Sequence, residues 1–201
     1  MPTEASLAMV RFLAGLLLGI ILVPLCVLGW FKYGKVPVAV SDPPMPMERQ
    51  IAQTTLDARI AKEAPQLPPF QPNEQTYIAG ARIYKDNCAF CHGFHGHPSS
   101  TGPDMFPDAP PLWEPHHIGN VVGVSDDPAG VTYWKVANGI RLTGMPSYRY
   151  RLNDTQIWQV SLLLSHANQP LPPAALQILR FQQGVPESPS GSDSDSGSSN
   201  P

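Results

Sequence analysis

The chain has 201 residues, 24 of them proline, and a formal net charge of −3. That length holds one domain or two, and the prolines together with a polar tail reduce the foldable part to one modest domain with appendages. A negative balance without a basic stripe excludes a nucleic-acid-binding role.

Phe12 to Phe31 form a run of twenty residues without a charge, enough at about 1.5 Å per residue to cross roughly 30 Å of hydrocarbon. Residues 1–35 are therefore read as a transmembrane anchor, and the membrane as the first partner. A cleaved secretory signal would have a shorter apolar core and a small-x-small site, and the chain after Trp30 offers none. Cys26 follows Val-Pro-Leu, without the small residue that precedes a lipoprotein cysteine, and reads as a small apolar residue facing lipid or a partner helix. Pro24 is a candidate kink, while Trp30, Phe31 and Tyr33 with Lys32 and Lys35 suit a membrane interface. Arg11 alone flanks the amino side, so the positive-inside bias leans weakly toward a cytoplasmic carboxyl side.

Residues 36–72 read as a proline-rich linker containing one short helix. Val36 to Pro46 is a stiff extended spacer, Ile51, Thr55, Ala58 and Ala61 then recur near helical spacing from 47 to 63, and Pro65 stops that helix. The helix either packs on the following domain or docks on a larger complex. Residues 73–180 form the main domain. Asn73 caps a helix, with Thr76 close behind, that runs through Ile78, Ala81 and Tyr84. Gly80 lets another helix cross closely. The expected partner is the last helix, which starts at the capping-box sequence Asn153-Asp154-Thr155-Gln156 and presents Ile157, Trp158, Val160, Leu162 and Leu164. Between them Asp127-Pro128 opens a helix and Asn138-Gly139 closes it. Trp134 on that helix is expected in the core, with contact to a cofactor as the alternative. Residues 181–201 are rich in Ser, Gly and Asp and read as a disordered, solubilising tail.

The chemistry centres on Cys88-Ala89-Phe90-Cys91-His92, the pattern of c-type haem attachment. Residues three apart share a face of a helical turn, so both thiols can reach the two vinyl groups of one porphyrin with His92 beneath the iron. A zinc finger would put about a dozen residues between its cysteine and histidine pairs, and here that gap is zero although His92 and His97 form a pair. A thioredoxin-like site would follow a strand, and nothing before Cys88 alternates like one. A six-coordinate iron needs a second ligand. Met145, in the turn Thr143-Gly144-Met145-Pro146, is the candidate, because Gly and Pro hold its thioether in place. Met105 is the rival, at the end of a short loop thirteen residues after His92, and His95, His97, His116 and His117 follow. His95 and His97 read mainly as solvated loop residues.

The segment from about Gly80 to Asn168 resembles a class I cytochrome c domain, similar to the c-type haem domains of haem-copper oxidase subunits and membrane alcohol dehydrogenase complexes. The resemblance rests on Ile83 to Gly93 around the motif, Ala109-Pro110-Pro111-Leu112, Tyr133-Trp134, Asn138-Gly139-Ile140 and Thr143-Gly144-Met145-Pro146. It implies an all-α fold of three to four helices and a long loop wrapped round one covalent haem c with its iron, here behind a transmembrane helix. It also implies that first and last helices cross, and that a proline carbonyl accepts a hydrogen bond from the ligand histidine. Pro110 matches best and Pro103 is second. Haem c in bacteria is ligated outside the cytoplasmic membrane, so the domain is expected in the periplasm, against the weak charge bias.

A haem closed by His92 and Met145 has no open position for a small-molecule substrate, and no catalytic array accompanies it. The expected role is single-electron transfer to redox partner proteins, free or as the haem relay of a respiratory complex. A haem gas sensor with a labile distal ligand is the alternative. Arg141, Arg149 and Arg151 flank the Met145 turn, either neutralising haem propionates or forming a basic rim for an acidic partner.

Overall fold

Two of the helices begin where side chains satisfy the first orphan N–H groups. In the computed structural model, which describes residues 4–115 and 121–180, Asn73 accepts from the Thr76 N–H at 3.0 Å while Thr76 Oγ1 accepts from the Asn73 N–H at 3.2 Å. That reciprocal cap starts α3, Glu74–Asn87, once the earlier helices α1 (Glu4–Tyr33) and α2 (Glu48–Glu63) have passed. Asn153 and Gln156 form a second capping box, at 2.9 and 3.0 Å, and start α6, Asp154–Ser165. Each such cap stabilises its helix by about 1 kcal/mol. Between them lie α4, the single turn Ala89–His92, and α5, Ala129–Asn138, which ends at Gly139 with φ +67°. A last helix, α7, spans Pro173–Leu179.

Contacts divide the chain into residues 1–56 and 57–201. In the first unit, α1 carries exposed apolar side chains along its length, Phe12, Leu16, Ile20, Val23 and Leu28 among them. A helix that is apolar all round and long enough to span hydrocarbon fits a single-pass membrane anchor. The spacer after it is not extended throughout. The Val38 and Ala39 N–H groups both donate to Asp42 Oδ2 at 2.9 Å and close a turn, which holds the Asp42 carboxyl below its usual range.

In the second unit α3 packs against α6 and α7, and α5 packs against α6. Tyr84, Ile157, Val160, Leu163 and Leu179 are fully buried at this junction. Gly80 makes the crossing of α3 and α6 possible: a Cβ there would run into the Gln159 carbonyl and lie 3.0 Å from Leu163 Cβ. The sequence carries the domain to residue 180 but makes α6 its last helix. The structure adds α7, whose Ala175 and Leu179 complete the core on α3. Trp134 is a correction of a different kind. It lies outside the core, half-buried, and its indole N–H donates to Glu63 Oε2 at 3.0 Å at the end of α2. The core aromatic on this side is Trp158, stacked on Tyr133 with ring centroids 4.4 Å apart. The tail expected to be disordered lies outside the described residues.

Candidate haem site

The attachment motif begins where α3 ends. The Cys88 N–H donates to the Tyr84 carbonyl at 2.8 Å as the last bond of the helix, and the Cys91 and His92 N–H groups both turn back to the Cys88 carbonyl at 3.2 and 3.0 Å. Cys88, Cys91 and His92 are thereby fixed on one turn, the arrangement that two thioether links to one porphyrin require. Both thiols are free. Burial, and then the neighbouring Cys91, push the Cys88 thiol up to about 12. Burial thus favours the protonated thiol at Cys88.

Gly93 then reverses the chain with φ +78°, and a Cβ there would sit 2.8 Å from both the His97 carbonyl and the Ser99 nitrogen. Glycine is the residue that permits both. The reversal is tied down from three sides. Tyr84 Oη donates to the Gly93 carbonyl at 2.7 Å, Ser99 Oγ donates to the Phe90 carbonyl at 2.6 Å, and the Leu112 N–H donates to the His92 carbonyl at 3.3 Å. The loop after His92 thus contains a short 3-10 turn, Gly102–Asp104, held by its own backbone and by Ser99.

This loop carries Pro110 back over the histidine. His92 Nδ1 lies 2.8 Å from the Pro110 carbonyl oxygen. A carbonyl can only accept, so Nδ1 carries the proton and Nε2 is left with its lone pair free, the form in which imidazole binds a metal. Burial holds the His92 pKa below its ordinary value, and the Pro110 carbonyl offsets part of that effect. Both keep or place the proton where ligation needs it. Pro103 sits in the 3-10 turn, and His92 Nδ1 is bonded to Pro110 instead.

Met145 arrives from the far side of the sequence on a turn closed by its own residues. Thr143 Oγ1 donates to the Ile140 carbonyl at 2.8 Å and accepts from the Met145 N–H at 3.1 Å, while the Ile140 N–H donates to the Met145 carbonyl at 3.2 Å. The turn is anchored on α5 by Ser147 Oγ to the Ala137 carbonyl and by the Tyr148 N–H to the Val136 carbonyl, at 2.7 and 3.1 Å. Tyr148 Oη then donates to the Asn87 carbonyl at 2.6 Å, one residue before Cys88. Burial raises the Tyr148 pKa, with the two cysteines adding to the effect. The structure therefore brings the Met145 turn and the cysteine turn to one place. Met145 is half-buried against the core. Met105, its rival, is half-buried too, with its terminal methyl against Gly144. His95 and His97 are exposed, and His95 is paired through its backbone to Leu179. His116 and His117 lie outside the described residues.

Sequence reasoning missed the two hydroxyls that assemble the site, Tyr148 and Ser99. Their only signal is position, a tyrosine three residues after Met145 and a serine in the loop after the attachment motif. Arg141, Arg149 and Arg151 are exposed, and the ion pairs found among the described residues, Arg59 with Glu63 and Lys135 with Asp127, do not involve them.

A tethering turn with two free thiols, a histidine in the ligand tautomer and a methionine turn docked beside them form a donor set that fits a covalently held haem. Residues 75–162, somewhat under half of the chain, match the family model of cytochrome c oxidase, cbb3-type, subunit III. No curated protein and no solved structure matches the chain. The matched segment is a class I c-type cytochrome domain, similar to those of haem-copper oxidase subunits, with haem c and iron as its cofactor and electron transfer as its work.

Proposed function

We propose that this chain is a membrane-anchored monohaem cytochrome c that passes single electrons at the periplasmic face of a bacterial inner membrane. In this reading Cys88 and Cys91 hold the haem by thioether links, and His92 and Met145 are its axial ligands. The observation that carries it is the 2.8 Å contact of His92 Nδ1 with the Pro110 carbonyl, which fixes the ring and frees Nε2. Haem iron with two protein ligands exchanges one electron without binding substrate. The protein's part is to keep both ligands in place. Pro110 orients His92, the hydrogen bonds of Thr143 and Ile140 shape the Met145 turn, and Tyr148 docks that turn on the end of α3. Trp134 gives its indole N–H to Glu63, so any contact it makes with the haem is through its ring alone.

The test is the visible spectrum of the full-length protein, oxidised and reduced, with a haem-stained denaturing gel. The reading expects haem retained on the denatured chain and a weak far-red band from methionine ligation. Met145→Leu should abolish that band, lower the potential and let the reduced protein bind carbon monoxide. A denatured chain without haem would sink the proposal. A second reading has support in the name of the matched family, an oxidase subunit: the domain would then be a fixed haem relay within a respiratory complex. Co-migration of the haem stain with a larger assembly on a native gel would favour the relay, and migration alone the free carrier.

A further inference from the structure

Two methionines meet at this site, and the second has a place of its own. Met105 belongs to the His92 side of the domain. Its N–H donates to the Gly102 carbonyl at 3.3 Å, the Ala109 N–H reaches the same oxygen at 3.0 Å, and a Cβ on Gly102 would lie 2.6 Å from the Cys91 carbonyl. The base of Met105 is thus held on the 3-10 turn, which lies close against the cysteine turn. Its tip crosses to the other side. A Cβ on Gly144 would coincide with Met105 Cε and lie 3.5 Å from its Sδ, so the thioether lies over the glycine immediately before Met145.

We infer that Met105 is a positioning residue, a latch that holds the Met145 turn closed over the haem site; this rests on the His92/Met145 ligation proposed above. The physical grounds are the connectivity of the turn. Among the described residues the hydrogen bonds of residues 140–145 run among Ile140, Thr143 and Met145 themselves, so they shape the turn without bonding it to another element, and only the Met145 side chain packs on the core. Its anchors are Ser147 and Tyr148, on the downstream side. Met105 supplies a contact at the tip, from the opposite loop. An unbranched thioether suits the task, because it keeps contact while the turn shifts, where a branched side chain would jam. Gly144 is exposed and has no side chain to obstruct the contact. Without the latch a larger fraction of molecules has Met145 away from the iron at any moment, with no change in which residue is the ligand.

The test uses the full-length haem protein and two readouts, the far-red band and the rate of carbon monoxide binding to the reduced form. Met105→Ala should weaken the band and speed binding roughly tenfold, the population shift expected from losing one well-packed thioether contact. Met105→Leu keeps the bulk and should stay near wild type. Gly144→Ala reaches the same contact from the other side. The atom its methyl meets is the free end of a flexible side chain, so the fold tolerates it while Met105 is displaced, and the binding rate should rise as for Met105→Ala. Because both act through one contact, the double variant should be no more open than either single variant. Wild-type behaviour of both single variants, or fully additive effects, would overturn the latch. Met145→Leu is measured alongside. If it leaves both readouts unchanged the ligand assignment fails, and if it alone opens the site the assignment stands and the latch falls.

Discussion

At the scale of single residues the site is a matter of where protons and lone pairs are placed. Tyr148 illustrates it, because its hydroxyl donates to the Asn87 carbonyl at 2.6 Å and joins the Met145 turn to the end of α3. Tyr148→Phe removes the donor and leaves a partly buried carbonyl without its partner, a loss of about 1–3 kcal/mol. We expect that reduction in denaturant stability, read by the far-UV signal of the full-length protein, together with faster carbon monoxide binding. A stability equal to wild type would show that water replaces the hydroxyl at Asn87. The cysteines and His92 were legible in the sequence because their spacing is itself the chemistry. Pro110 was legible only through resemblance, since a proline carbonyl leaves no mark of its own in a sequence. Tyr148 and Ser99 were not legible, because a hydroxyl that bridges segments far apart in the chain has no periodicity to reveal it. Met105 was placed second to Met145 as a ligand on loop length, which says how far a residue can reach but not what lies there.

At the scale of elements, caps and apolar periodicity carried the prediction of α3, α5 and α6, and the small residue at Gly80 carried the crossing of α3 and α6. α7 was not predicted, although a proline at the first helical position is itself a start signal, removing only an N–H that would be unsatisfied there. The end of α2 is the informative failure. Trp134 looked like a core residue by its place on a half-apolar helix, yet its indole donates to Glu63, and Ile60 on the same stretch is buried. The contact has a pH signature. The Trp134 N–H, and then Arg59, hold the Glu63 carboxyl below the ordinary glutamate range. A carboxyl with a folded pKa lower than its unfolded one adds stability that is present above the unfolded value and lost as the pH falls through the folded value. Acidification below the usual glutamate range should therefore loosen the end of α2 and change the fluorescence of Trp134 before the domain unfolds. Glu63→Gln should remove that acid transition while keeping haem. A transition that persists in Glu63→Gln would belong to another carboxylate.

At the scale of the whole molecule the charges are unevenly spread. The chain is acidic overall, yet Arg141, Arg149 and Arg151 stand exposed on either side of the Met145 turn, and Asp104 and Asp108 are exposed on the loop from the His92 side. An exposed charge steers an ion over about a Debye length, ~10 Å at 0.1 M salt and roughly 30 Å at 0.01 M. If electrons leave the haem beside the Met145 turn, the local positive field and not the net charge sets the rate with a charged partner. Ferricyanide, an anion, probes that field without requiring the physiological acceptor. Arg149→Glu with Arg151→Glu should slow oxidation of the reduced protein by ferricyanide severalfold at low salt, and the difference should close as salt rises toward 1 M, where screening falls to about 3 Å. A cationic oxidant should show the opposite sign with the same salt dependence. Rates unchanged with both reagents would mean that the arginines face away from the path of the electron, and that neutralising the haem's carboxylates, not recruiting a partner, is what their charge is for.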